Sequence, residues 1–97
     1  MRARKRFVVI AYDISQNKRR RQVEKAIKKF GGRVNLSVFE CMLTESQFGK
    51  LQEVIAHVLD RKTDQVVYYT LCMDCFSAIV YQPERKRKDA ISSTTII

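Results

Sequence analysis

Asp13 closes a run of apolar residues and opens the loop into an arginine-rich segment, so one carboxylate stands beside several cations. That combination suits phosphodiester chemistry. A Mg²⁺ ion takes one or two carboxylates, keeps several waters and accepts phosphate oxygens, while guanidinium groups neutralise the phosphate. The competing reading of Asp13 is a turn aspartate bonding its own backbone, a common role for this residue. Lys18, Arg19, Arg20 and Arg21 weigh against it. They fall in the first turn of an expected helix, where a positive charge is unfavourable by a few tenths of a kcal/mol. A phosphate at that entrance would reverse the sign, because it would meet both amide donors and guanidinium forks. Arg19 and Arg20 flank the apolar stripe of the helix and can lean toward Asp13, whereas Arg21, Lys25 and Lys28 fit a solvated face. One aspartate is a thin metal site. Two copies of Asp13 meeting across a twofold axis would supply a shared one.

The thiols are less informative. Cys72-x-x-Cys75 has the spacing of half a zinc site, but the two further ligands would have to come from Cys41 and His57, a poor pair because His57 lies opposite the apolar stripe of its helix. The plainer expectation is a turn between two strands with partly buried, reduced thiols. An odd count of three cysteines with no export signal also argues against a disulfide framework.

These residues are positioned by a simple alternation of elements. Arg6 to Tyr12 is near-continuously apolar and rich in β-branched residues, as in a strand buried on both faces. Val23, Ala26, Ile27 and Phe30 recur at helical spacing and predict a helix over Lys18–Phe30 that Gly31 and Gly32 stop. From Arg33 to Leu43 the chain alternates, but its apolar phase slips between Val38 and Phe39, so a bulge or a strand break must intervene. Thr44 and Gln47 make a capping box, and Phe48, Leu51, Val54, Ile55, Val58 and Leu59 form a helical stripe. Asp60 to Asp64 is a polar turn, and Val66–Leu71 and Phe76–Tyr81 read as two more strands. The result is an α+β or α/β sandwich with both helices on one face of the sheet.

The 97 residues fit a single domain over 1–82, followed by a basic C-terminal tail over 83–97 that reads as a mobile tail or a partner-binding arm. Nineteen Lys and Arg against ten Asp and Glu leave a charge of +9, which favours nucleic acid over neutral partners. No apolar run approaches a membrane span, and nothing directs export, so the expected location is cytoplasmic.

Several segments together resemble a known family. They are Phe7-Val8-Val9-Ile10-Ala11-Tyr12-Asp13-Ile14-Ser15, Asn17-Lys18-Arg19-Arg20, Asn35-Leu36-Ser37-Val38-Phe39-Glu40, Leu43-Thr44, and Tyr69 through Cys72 with Cys75. In that order, over residues 6–82, they are similar to the CRISPR-associated endoribonuclease family, the small dimeric adaptation proteins that act with an integrase to install new spacers. The resemblance implies a ferredoxin-like βαββαβ sandwich with an antiparallel sheet and an extra C-terminal strand that pairs with the partner's sheet. It also implies a short strand and a longer one after Gly32, and a homodimer with Mg²⁺ between the two Asp13 carboxylates. Carried over by position, Asp13 is the catalytic and metal-binding residue, and Tyr12 forms the strand-end pair with it. Arg20 and Arg33, with Arg19 beside them, are nucleic-acid contacts, and Ser37 and Phe39 fall near the dimer axis. Three activities fit these residues. They are Mg²⁺-dependent cleavage of RNA or double-stranded DNA, an idle scaffold that binds protospacer DNA with the integrase, and a toxin-type ribonuclease of the same fold, which would arrest growth on expression.

Overall fold

The first strand carries alternate residues to two different environments. In the computed structural model of the chain, which describes residues 4–82, β1 spans Lys5–Asp13. Val8, Ile10 and Tyr12 point into one core with Ile14, Val23, Ile27, Phe39, Cys41, Leu43, Leu51 and Ile55, while Phe7 and Val9 join a second cluster with Val34, Met42, Leu71, Phe76 and Ile79. A strand apolar on both faces must be central, since either face would otherwise meet water.

β1 lies between β3 (Val38–Thr44) and β4 (Gln65–Leu71), and β2 (Gly31–Asn35) pairs with the outer edge of β3. Every neighbour in the order β2-β3-β1-β4 is antiparallel. With α1 (Asn17–Ile27) and α2 (Glu45–Val58) covering one face, this is the ferredoxin-like βαββαβ sandwich expected from the sequence. The phase slip is absorbed twice, by a turn at Leu36 and Ser37 and by a register shift between Arg33 and Asn35. α2 begins as expected: Thr44 Oγ accepts from the Gln47 amide at 3.1 Å, and the Thr44 amide donates to Gln47 Oε1 at 2.9 Å. The Asp60–Asp64 turn is also present, closed by the Asp64 amide donating to the Asp60 carbonyl at 2.9 Å.

Two expectations need correction. α1 ends at Ile27 instead of Phe30, because the Phe30 amide bonds back to the Ile27 carbonyl at 2.9 Å and tightens the exit. Gly31 and Gly32 then open β2 opposite Cys41 and Glu40 and do not cap the helix. The second correction concerns Phe76–Tyr81, which is not a strand among the described residues. A short helix, α3 (Met73–Ser77), occupies its start, and the Ala78 and Ile79 amides continue the turn by donating to the Cys75 and Phe76 carbonyls. The reason is side-chain placement. Phe76 and Ile79 both pack around Phe7, with the Phe7 and Phe76 rings 4.5 Å apart, and a helical turn puts residues three apart on one side. A strand would send them to opposite faces. Cys72 and Cys75 are consequently exposed, not partly buried. The basic tail over 83–97 lies outside the described residues.

Candidate functional site

β1 delivers Tyr12 and Asp13 to the end of the sheet where the loop to α1 departs, and the turn between β2 and β3 reaches the same place. The Tyr12 amide donates to the Ser37 carbonyl at 3.1 Å, which ties the two segments together. Between them lies an open cleft of about 630 Å³ lined by Tyr12, Asp13, Arg20, Glu24, Arg33 and Ser37, and also by Arg21, which the sequence had placed on a solvated face. The structure therefore gathers five of the sequence-derived site residues, Tyr12, Asp13, Arg20, Arg33 and Ser37, into one space.

The acids of this region differ in what they are free to do. Asp13 is exposed, and among the described residues no hydrogen bond or ion pair engages its carboxylate. Glu24, on the inner side of α1, is committed: its Oε2 accepts from the Tyr12 hydroxyl at 2.5 Å and its Oε1 pairs with Arg33 at 2.9 Å. Burial first, and then this hydrogen bond to a carboxylate, hold the Tyr12 phenol well above the usual tyrosine range, so it stays a neutral donor. Tyr12 thus braces the site from beneath as a buried side chain.

The cations divide in the same way. Arg20 closes the loop, bonding the Ile14 carbonyl at 3.0 Å and the Asn17 side chain, and it still lines the cleft. The Arg33 guanidinium lies 5.5 Å from the centroid of the Phe39 ring, a cation–π distance that fixes its plane. Phe39 itself is fully buried, with its ring 6.1 Å from that of Tyr12, so it supports the site from within the core. Arg19 does not line the cleft. Its Nε donates to Asp64 Oδ2 at 2.7 Å, and its other nitrogens reach Gln16, Ser15 and Thr63. Asp64, whose side chain has no exposed surface, also accepts from the Asp60 and Ser15 amides. The Arg19 guanidinium, aided by those amides, holds the Asp64 carboxyl well below the usual carboxylate range.

Sequence reasoning missed Glu24 and Asp64. Glu24 had a faint signal, since it follows Arg20 by four residues and so shares its side of the helix. Asp64 had none beyond its place in a polar turn. In chemical terms the cleft offers an unengaged carboxylate and three guanidinium groups, two of them, Arg20 and Arg33, held by neighbouring groups. That set can hold a phosphodiester and a hard cation. Among the described residues no group of three or more His, Cys, Asp and Glu side chains gathers, and no helix is long and apolar enough to cross a membrane.

Comparison with known proteins places these residues in context. Residues 6–79 match the model of the family described as CRISPR associated protein Cas2. The chain is 38% identical over 63 residues to CRISPR-associated endoribonuclease Cas2 3 of Synechocystis sp., an alignment covering 65% of this chain and 68% of that one. It is 39% identical over 70 residues to CRISPR-associated endoribonuclease Cas2 1 of Moorella thermoacetica, covering 67% and 73%. Its fold superimposes on the crystal structure of Streptococcus pyogenes Cas2 with a TM-score of 0.69 at 31% identity, covering 75% of this chain and 94% of that one.

Proposed function

Because the chain belongs to the CRISPR associated protein Cas2 family, we propose that it is a CRISPR adaptation protein and a metal-assisted endonuclease that hydrolyses phosphodiester bonds in RNA or double-stranded DNA. It works as a homodimer, with Asp13 as the catalytic carboxylate and the adaptation integrase as its partner. The observation that carries this reading is the contrast among the acids: Glu24 and Asp64 are saturated by donors, and Asp13 alone of the three faces the cleft unengaged. The names of the Synechocystis and Moorella relatives support the reaction class.

The chain's own residues divide the work. Arg20 and Arg33 bind the phosphate, and Arg33 reaches it by exchanging the Glu24 carboxylate for a phosphate oxygen without leaving the Phe39 ring. Tyr12 keeps Glu24 in place during that exchange. Asp13 orients the attacking water against the phosphorus and is the residue that would hold Mg²⁺. A single exposed oxygen ligand fits an ion that keeps most of its waters. When bound, the ion supplies charge neutralisation and a more acidic water. A homodimer is the arrangement that would bring two Asp13 carboxylates to one cation.

A second reading keeps the dimer as a scaffold that binds protospacer DNA with the integrase and leaves Asp13 idle. It is favoured by the sparseness of ligands in one protomer. Wild type and Asp13→Asn should be compared for Mg²⁺-dependent cleavage of RNA and of duplex DNA, and for binding of the same substrates. Loss of cleavage on the order of a hundredfold or more with binding retained is the expected result. A wild type that cuts neither substrate at any pH would establish the scaffold instead.

A further inference from the structure

Three thiols occupy two contrasting environments. Cys41 is fully buried in the core beneath the helices, and burial pushes its thiol up to about 12, where it is inert. Cys72 and Cys75 are both exposed, beyond the end of β4. Cys72 keeps an extended backbone, with φ −77° and ψ 172°, and swings its sulfur back over the next turn, where it accepts the Cys75 amide at 3.4 Å. Cys72 also lines a cavity of about 410 Å³ together with Arg4, Lys5 and Arg6.

From this geometry we infer that Cys72 and Cys75 form a redox-active dithiol that exchanges with anionic low-molecular-weight disulfides such as glutathione disulfide. Cys72 is the attacking sulfur. The Cys75 amide and thiol both bond to it and hold its pKa below the ordinary thiol value, while the Cys75 thiol, facing that sulfur, is held above its own. The three cations of the cavity draw in a carboxylate-bearing reagent. Cys72 thiolate attacks one sulfur of the small disulfide, forming a mixed disulfide and releasing one thiolate. Cys75, deprotonated by solvent, then attacks the Cys72 sulfur, closing the Cys72–Cys75 bond and releasing the second. Two electrons pass from the protein to the small disulfide, and the two protein protons end on the two released thiols. The site is separate from the cleft at Asp13 and stands whether or not the chain is a nuclease.

The test uses the reduced full-length chain equilibrated with glutathione disulfide, quenched with a maleimide and read by intact mass and peptide mapping. Wild type should lose two hydrogens and yield a linked Cys72–Cys75 peptide, with Cys41 alkylated once the chain is denatured. Cys75→Ser, which lacks the second sulfur, should accumulate the glutathione adduct at Cys72. Cys72→Ser should react about tenfold more slowly than Cys75→Ser. Full alkylation of Cys72 and Cys75 after treatment, a mixed disulfide that persists in wild type, or a bond joining two chains would each overturn the inference.

Discussion

Arg33 and Arg19 carry the same charge and do opposite things. The Arg33 side chain is 36% exposed, sits over Phe39 and, in the proposed function, trades Glu24 for a phosphate. Arg19 is spent on Asp64. Arg33→Ala should therefore flatten the salt dependence of single-stranded RNA binding by about 0.7 in the log–log slope, the share of one phosphate contact, and lower the urea midpoint less than Arg19→Ala does, because the Tyr12 hydroxyl still serves Glu24. Arg19→Ala should leave that slope alone and lower the urea midpoint, because it strands an enclosed carboxylate. Asp64 also predicts an acid limit. Its folded carboxyl titrates below the unfolded value of about 3.9, so its contribution is fully present above about pH 4 and fades as pH falls further. Urea midpoints should drop below pH 4 in wild type and drop less in Asp64→Asn. Neither pairing could be read from spacing, since Arg19 and Asp64 stand 45 positions apart and meet only when the start of α1 reaches the turn before β4.

At the scale of elements, local rules governed wherever the neighbouring residues in sequence were also the neighbours in space. The capping box of α2 is such a case, and Thr44→Ala should cost about 1 kcal/mol in chemical unfolding by freeing the Gln47 amide. α1 shows the opposite: no side chain caps its start and its first turn holds no acid, so its entrance stays open for an anion. α3 shows where a local reading fails. The stretch Phe76–Tyr81 has strand-like composition, yet Phe76 and Ile79 meet the same apolar cluster and the backbone bonds to itself.

For the whole molecule, the proposed pairing of two protomers is what gives Asp13 its use. If two protomers pair so that their Asp13 carboxylates meet, each working site draws an Asp13 from both chains. Equal amounts of wild type and Asp13→Asn, unfolded together and refolded to random dimers, should then retain about a quarter of the wild-type rate instead of about half. A rate near half would mean that each protomer works alone.

The central strand, both covering helices, the capping box and the grouping of Asp13 with Arg20 were legible in the chain, because each follows from hydrophobic period or from residues a few positions apart. Arg33 and Ser37 entered through likeness to a family, which encodes long-range proximity that one sequence does not. Only the tertiary structure separated Arg19 from Arg20, assigned Glu24 to Tyr12 and Arg33, and buried Phe39 beneath them. Those outcomes depend on which loops and strands converge, and charge pairing across such distances is settled by packing and desolvation after the backbone has closed.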